Sequence, residues 1–158
     1  MRSKRKVDSL DLELDIDLGD DEVKPVCMGK MYRFNLRGEI SNTPNIQNLI
    51  SCLRNAGPGD IINIHINSYG GCLFTTIEVV NAIQGCAGKV ITHAEGMSYS
   101  GASIILFCGH SIVVRDYSSI MIHYVSMYEA GPLGEIESSI DHIKLLSYDL
   151  YHDGYEPC

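Results

Sequence analysis

The feature that most constrains this chain is the alternation of apolar segments of period two with segments of helical period. One such pair occupies Ile61–Gln84, and a second occupies Val90–Cys108. In both pairs a glycine-containing segment joins the predicted strand to the predicted helix, at 67–71 and at 96–101. Strands and helices that alternate at these lengths predict an α/β fold with mainly parallel pairing, whose ligand sites lie at the carboxyl ends of the strands.

Further predicted elements precede and follow these two pairs. A strand over Met31–Leu36 is followed by a helix over Pro44–Asn55, for which Thr43 supplies the N-cap. Two short strands are predicted near 112–114 and 120–123. These elements extend the same strand-and-helix plan in both directions.

The C-terminal part of the chain carries one long amphipathic segment. Between Gly134 and about Asp153, aliphatic residues recur at steps of three and four, which predicts a helix with one apolar stripe. The stripe consists of Ile136, Ile140, Ile143, Leu146 and Leu150. It must pack against the domain or against another subunit.

The chain divides into an N-terminal arm, residues 1–29, and a folded domain, residues 30–158. Over 7–22, acidic residues alternate with aliphatic ones. This period of two is compatible with a strand, but repulsion between the acids favours a solvated, disordered arm; a segment that orders on a partner is the alternative. With 158 residues, 45% of them hydrophobic, one core is expected.

Charge and cysteine content exclude several classes of function. The formal net charge of −8, with basic residues clustered only at the extreme N-terminus, argues against nucleic-acid binding. The six cysteines are dispersed without a C-x-x-C pair, which is typical of a reducing, cytoplasmic location and provides no metal-ligand spacing. No apolar run approaches the roughly 20 residues that span a membrane. We therefore expect no metal, no nucleic acid and no membrane partner.

Three segments contain the residue types that acyl transfer requires: Ile66–Gly71, Gly96–Ser103 and Ile120–His123. Ser100, just before a predicted helix, could act as nucleophile, because helix amides favour negative charge there, and His123 could accept its proton. Nearby glycines would let backbone N–H groups approach a developing oxyanion. Each segment alone also has a structural explanation, as a turn, a helix cap or a half-buried histidine.

The order and wording of these segments resemble the Clp protease proteolytic subunit family. Family members carry Ile-Asn-Ser-Pro-Gly-Gly, then Gly-x-Ala-Ala-Ser, then Met-Ile-His. This chain carries Ile-Asn-Ser-Tyr-Gly-Gly, Gly-Met-Ser-Tyr-Ser and Met-Ile-His, in the same order and at similar intervals. The resemblance runs over about 32–153. It implies Ser100 as nucleophile, His123 as general base, and the amides of Gly71 and Gly101 as oxyanion donors.

The resemblance also implies an architecture and a setting. The fold would consist of the repeated β-β-α units of the Clp protease and crotonase architecture, with the helix over 134–153 as a handle that joins two rings. The activity would be that of a serine endopeptidase acting on unfolded polypeptide inside a homo-oligomeric, stacked double ring. An AAA+ unfoldase partner would hydrolyse ATP, and the protease itself would need no cofactor.

The chain departs from the family pattern at several positions. Tyr69 stands in place of a proline, Tyr99 in place of an alanine, and Gly101 in place of a bulkier residue, usually methionine. The family's triad aspartate lies beyond the long helix, so we expect the acid to be missing and the chain to be C-terminally truncated. Asp149 and Asp153 suit a solvated helix face better than a partnership with the base. In serine proteases neutralisation of the acid lowers the rate roughly 10⁴-fold.

Two other hypotheses remain open. A non-catalytic assembly subunit would keep the fold and ring contacts without the acid, and an acyl-CoA-handling enzyme of crotonase type would use the glycine amides without a serine nucleophile. Ser98 also lies in the glycine-containing segment, but the G-x-S-x-G pattern would need glycine at position 100. The other histidines are expected to be structural: His65, His93, His110, His142 and His152.

Overall fold

A parallel sheet organises the part of the chain that this computed structural model describes, residues 29–123 and 132–155. The strands are β1 (Met31–Ile40), β2 (Ile61–Gly71), β3 (Lys89–Tyr99), β4 (Ser111–Val114) and β5 (Ser119–Met121). The helices are α1 (Pro44–Asn55), α2 (Leu73–Gln84), α3 (Gly101–Phe107) and α4 (Leu133–Tyr155). Residues 1–28 of the arm lie outside the described residues, so its disorder stays a prediction.

The strand pairing confirms the predicted α/β class. The sheet order is β1-β2-β3-β4, β5 also pairs with β3, and all of these pairs are parallel. Along β3, β4 faces residues 91–94 and β5 faces residues 97–99. Because parallel strands end at the same edge, the carboxyl ends of β2 and β3 lie side by side, next to β5.

The core lies between the sheet and the helices. Along β1, β2 and β3, the more buried side chains fall at every second position, as the period of a strand requires. From α1, Ile46, Leu49, Ile50 and Leu53 are buried in the same cluster as the β2 isoleucines at 62, 64 and 66. Burying each such side chain stabilises the fold by about 1.5–3 kcal/mol. The packed layer therefore fixes the strands, and with them the positions of their ends.

The sheet face turned away from these helices is polar, and we refer to it as the open face. It presents the alternate side chains of β1, β2 and β3, six of which line a shallow pocket of about 230 Å³: Arg33, Asn35, Arg37, His65, Asn67 and Glu95. The period of two therefore separates an apolar helical side from a charged side.

The predicted bounds of the first helix are confirmed. α1 begins at Pro44 and ends at Asn55, and the Thr43 hydroxyl accepts a hydrogen bond from the Ile46 amide at 3.5 Å. α2 and α3 begin within one residue of their predicted starts. These local signals are strong because the cap and the proline act within one turn of chain.

β2 and β3 extend further than predicted. The predicted turn at Gly70 and Gly71 is wrong, because both glycines end β2 and pair with residues 39 and 40 of β1. β3 continues through the predicted turn to Tyr99, because this part pairs with β5. His123, predicted within a strand, lies two residues beyond β5. In the first two cases a neighbouring strand decides the conformation.

α4 covers the region of the predicted amphipathic helix and continues through Gly154, where an end was expected. Of its apolar residues, Ile140, Ile143 and Leu146 are half-buried, and α4 contacts α3. Its role as a handle between rings stays a prediction. Within the described ranges, no helix combines the length and the apolar character that crossing a bilayer demands.

Candidate active site

Ser100 occupies a strained elbow between β3 and α3. Its backbone angles are φ 55° and ψ −128°, and among the described residues it is the one non-glycine residue with positive φ. For a residue with a Cβ, such a conformation costs on the order of 1–3 kcal/mol and persists only where the surroundings hold it. The elbow places the serine between the end of a strand and the start of a helix.

Hydrogen bonds hold this elbow from both sides. The Ser100 amide donates to the carbonyl of Met121, at the end of β5, at 2.9 Å. The Ser100 carbonyl accepts from the amide of Ser103 at 2.9 Å and from its hydroxyl at 2.6 Å. Ser103 is fully buried, so its hydroxyl bond is shielded from water. These bonds offset the strain at position 100.

Gly70 lies directly against the elbow. A Cβ at this position would stand 2.7 Å from the Ser100 Cβ and 3.1 Å from the Gly101 nitrogen, and Gly70 has φ +95°. The buried Ser68 hydroxyl holds this strand end, donating to the Gly38 carbonyl at 2.6 Å and accepting from the Gly70 amide at 3.1 Å. Only glycine meets both demands, the close approach and the positive φ.

The two predicted oxyanion glycines lie on either side of this contact. Gly101, the first residue of α3, is buried and so close to the Thr76 hydroxyl of α2 that a Cβ would collide with it. Gly71 is exposed and pairs with Ile40 of β1. The strand ends thus bring 70, 71 and 101 to one corner of the sheet. The role of the amides in binding an oxyanion stays a prediction.

His123 follows β5, whose last residue is hydrogen-bonded to Ser100. His123 is exposed. The hydrogen bond from the Ser100 amide to the Met121 carbonyl brings the segment that leads to His123 against the elbow. The Tyr99 hydroxyl donates to the Ser119 hydroxyl at 3.1 Å, a second link between β3 and β5. The role of His123 as general base stays a prediction.

Ser98 lies on the inner side of the sheet. It is fully buried, and no hydrogen-bond partner for its Oγ is seen among the described residues. It pairs with Ser68 of β2 and with Ile120 of β5. A hydroxyl buried in this way cannot meet a polypeptide, which disfavours Ser98. The role of Ser100 as nucleophile stays a prediction.

Asn67 is a supporting residue that the sequence did not single out. At the end of β2, Ile66 pairs with Ala94 and Ser68 with Ser98, so β3 carries two extra residues at this point. The Asn67 side-chain oxygen accepts the Met97 amide at 3.0 Å and fills the space above Gly96. A bulge of this kind re-aims the strand just before the elbow.

A second polar cluster on the open face joins His65, His93 and Glu95. The two imidazole rings stack with centroids 4.3 Å apart and planes 10° from parallel. His65 Nδ1 lies 2.7 Å from a Glu95 oxygen, and His93 Nε2 lies 2.9 Å from the Asn63 side-chain oxygen. The sequence missed this group because its members face one another across two strands. The available signal was that His65 and His93 occupy equivalent positions in two neighbouring apolar strands.

The electrostatics of this cluster favour a neutral His93. Burial lowers the pKa of His93, and the nearby His65 ring lowers it further. The hydrogen bond from His65 lowers the pKa of Glu95. The ligand atoms of all three side chains lie within 4.8 Å of one another. However, the nitrogen lone pairs of stacked rings lie in two separate, nearly parallel planes. One ion therefore cannot lie in both ring planes at a zinc–nitrogen distance of about 2.0–2.1 Å. The arrangement suits a hydrogen-bonded pair better than a metal.

The triad acid is not assigned to a residue. The side chains of Asp149 and Asp153, the two acids near the end of the predicted helix, lie outside the described side chains of α4. The candidate site therefore consists of the serine elbow, the glycine corner and the segment that leads to His123.

A parallel α/β sheet with a strained serine at a strand-to-helix elbow defines a protein of the class that can carry acyl-transfer chemistry. A sequence model of the family described as Clp protease matches residues 33–152, which is most of the chain. The chain belongs to the Clp protease family. This confirms the resemblance and the α/β fold class with its parallel sheet. The described elements mostly alternate strand and helix, and two consecutive strands occur only at β4 and β5. The long C-terminal helix as a handle stays a prediction.

Curated proteins with the name "ATP-dependent Clp protease proteolytic subunit" are similar to this chain. The protein from Bacteroides fragilis is 31% identical over 101 residues, which is 63% of this chain and 49% of that protein. The protein from Porphyromonas gingivalis is 29% identical over 108 residues, which is 67% of this chain and 49% of that protein. The chain thus spans about half the length of the curated relatives it matches.

Proposed function

We propose that this chain is a serine endopeptidase subunit of the Clp type, with Ser100 as nucleophile and His123 as general base. The observation that carries the proposal is the Ser100 elbow, at φ 55° with hydrogen bonds at both its amide and its carbonyl. Residues held in sparsely populated backbone regions cluster at active sites, because the surrounding structure must maintain them. Membership of a protease family supports the same chemistry.

In the proposed reaction the Ser100 hydroxyl attacks the carbonyl carbon of a peptide bond, and His123 takes its proton. The amides of Gly71 and Gly101 donate to the oxyanion of the tetrahedral intermediate. His123 then protonates the leaving amine, the C–N bond breaks, and an acyl-serine ester remains. Water hydrolyses this ester with His123 again as base, which restores the free hydroxyl.

The proposed substrate is unfolded polypeptide. Large apolar side chains around the elbow support this, because an extended peptide needs apolar contact beside the nucleophile. Five such side chains, on β2, on β3, on β5 and just after β5, are each more than a third exposed: Tyr69, Met97, Ile120, Met121 and Ile122. Tyr69 is 53% exposed at the bulge between β1 and β2, where its ring can contact a peptide that approaches Ser100.

The proposed setting follows the family. We infer a homo-oligomeric stacked double ring in the cytoplasm, fed by an AAA+ unfoldase that hydrolyses ATP, while the protease itself uses no cofactor. The name of the relatives, which describes them as ATP-dependent, supports the unfoldase. Four described cysteines are free thiols, in keeping with a reducing compartment: Cys52, Cys72, Cys86 and Cys108.

Active-site labelling tests the proposed nucleophile. A fluorophosphonate or β-lactone probe should form a covalent adduct on Ser100 of the folded, assembled chain, located by peptide mass spectrometry. Ser100→Ala should abolish the adduct, whereas Ser98→Ala, which changes a buried hydroxyl only two residues away, should retain it. An adduct that survives Ser100→Ala, or no adduct on the assembled wild-type chain, would overturn the assignment.

The labelling also separates the main alternative. A non-catalytic assembly subunit would enter mixed rings with an active homologue but would take no probe on Ser100. Mixed-ring assembly followed by native mass spectrometry and labelling distinguishes the two, since the endopeptidase should do both. A chain that joins rings without labelling would be an assembly subunit.

A further inference from the structure

The outer edge of β1 is open. Within the described ranges, β1 pairs with β2 alone and ends the strand order of the sheet. An edge strand presents a row of backbone N–H and C=O groups that can pair with another strand, and proteins usually cover such an edge or shorten it. β1 is ten residues long, so a long edge is available.

The hydrogen-bond pattern tells which amides point to this edge. Met31 pairs with Ile61, and the Ile61 amide donates to the Lys30 carbonyl at 2.9 Å. In a parallel pair of strands, successive backbone amides of one strand point alternately towards and away from the partner strand. The amides at 32, 34 and 36 therefore point to β2. The amides of Arg33, Asn35 and Arg37 consequently point to the open edge.

A groove runs along the same edge. Its volume is about 390 Å³, and four consecutive β1 residues, Phe34–Arg37, line it together with the first half of α1. Because side chains alternate between the two faces of a strand, a groove lined by consecutive residues follows the backbone itself. Its apolar wall comes from Phe34 and Leu36 of β1 and Ile46 and Leu49 of α1.

The charges beside the edge are mainly positive on the open face. Arg33 and Arg37 are exposed there, with Asn35 between them. Glu39 follows at the carboxyl end and limits the favourable register to the part of β1 that precedes it. A strand suited to this edge would therefore present acids on the open face and aliphatic side chains on the helical face.

Residues 10–18 of the arm have this pattern without exception. The aliphatic positions are Leu10, Leu12, Leu14, Ile16 and Leu18, and the acidic positions are Asp11, Glu13, Asp15 and Asp17. We propose that residues 10–18 of the same chain add to the β1 edge as an extra strand. The acids then lie beside Arg33 and Arg37, and the aliphatic side chains enter the groove between β1 and α1.

This placement resolves the conflict in the arm's sequence. Closely spaced acids repel one another when solvated, but cross-strand pairs with arginine contribute roughly 0.2–1 kcal/mol each. The aliphatic side chains leave water at the same time. The connecting residues 19–30 reach up to about 40 Å when extended, whereas β1 over 31–37 is roughly 23 Å long. The connection is therefore long enough for the added strand to run either parallel or antiparallel to β1.

Hydrogen exchange of the full chain, read at single-residue resolution by mass spectrometry, tests the added strand. The variant carries Leu14→Pro and Asp15→Pro, because adjacent amides point to opposite sides and one of the two must face β1. Amides of Arg33, Asn35 and Arg37 should exchange at least tenfold faster in this variant. Those of Tyr32 and Phe34, which point to β2, should not change and so report that the sheet is intact.

A matched variant with Asp20→Pro and Asp21→Pro changes the connecting segment and should keep the wild-type protection. A synthetic peptide of residues 8–19, added to the Leu14→Pro, Asp15→Pro variant, should restore protection at the three edge amides. Equal exchange at these amides in wild type and in the Leu14→Pro, Asp15→Pro variant would overturn the proposal. Protection that is lost on dilution of the wild type would assign the edge to the arm of a second copy, and the same-chain assignment would be wrong.

Discussion

At the scale of single residues, the site depends on contacts that leave no space for a side chain. Ser100 keeps its strained backbone because Met121 and Ser103 hold its amide and its carbonyl. Gly70 then contacts the elbow so closely that a methyl group would meet the serine Cβ at 2.7 Å. The position of the hydroxyl is therefore coupled to the strand end beside it.

Gly70→Ala should separate this contact from backbone strain. Positive φ costs an alanine about 1–2 kcal/mol at Gly70 and also at Gly38, which has φ +69° but no atom within 4 Å of a new Cβ. Both variants should lose similar free energy of unfolding from strain, but Gly70→Ala should also lower kcat/KM about 100-fold, because it displaces the nucleophile. Peptidase assays and denaturant unfolding provide both quantities. Equal kcat/KM in the two variants would contradict the contact.

At the scale of elements, pairing between neighbouring strands decides conformation where local preference does not. Asn67 and Ser68, on β2, satisfy backbone groups of β3 and β1 at residues 97 and 38. The stacked His65 and His93 likewise join β2 to β3 on the open face. Each of these side chains links strands that are separated by a helix in the sequence.

The histidine pair should make stability depend on pH. Burial and the His65 ring lower the pKa of His93, so the unfolded chain binds its proton more tightly than the folded chain. The contribution of His93 to the free energy of unfolding is therefore complete above the pKa of the unfolded chain, about 6.5. It is lost as the pH falls from there through the lower pKa of the folded chain. The pKa of Glu95 is also lowered, but its contribution is lost only below about 4.3.

Denaturant unfolding at pH 7.5 and pH 5.5, at one protein concentration, measures this effect. The free energy of unfolding should fall towards pH 5.5 in the wild type, and His93→Gln should reduce that fall because the titrating ring is gone. His142→Gln, at an exposed position on α4, is the matched control and should keep the wild-type dependence. A fall that is equal in His93→Gln and wild type would show that the pair is not its source.

At the scale of the whole molecule, α4 carries large hydrophobic side chains that are exposed. Leu145 is 62% exposed and Tyr148 is 68% exposed, and they are neighbours on the helix surface at a spacing of three. Ile140, Ile143 and Leu146 are half-buried instead. A helix with apolar residues on two sides is suited to contacts with the domain and with another subunit.

Leu145→Asp should weaken self-assembly while leaving the domain folded. Burying a leucine contributes about 1.5–3 kcal/mol, so its loss should raise the dissociation constant of the assembly at least tenfold. Sedimentation velocity over a concentration series measures this, and circular dichroism reports the fold. Ser138→Asp adds the same charge at an exposed polar position of α4 and should assemble like the wild type. Unchanged assembly of Leu145→Asp would exclude this surface as an interface.

Much of the fold follows from the sequence because its signals are local. The period of two predicts the buried sides of β1, β2 and β3, and the Thr43 cap with Pro44 predicts the start of α1 within one turn of chain. The order of three short motifs was enough to indicate the Clp protease family, which the comparison over 33–152 confirms. Such information lies within a few consecutive residues.

The tertiary structure alone decided where the strands end and which residues meet at the elbow. Gly70 lies against Ser100, Ser68 bonds to Gly38, and Asn67 bonds to Met97, each across a separation of about 30 residues along the chain. Parallel strands place such residues side by side only after a helix has returned the chain to the same edge, and bulges then shift the register. The sequence by itself determined the periods and the caps, whereas these distant contacts depend on strand register, which no local pattern specifies.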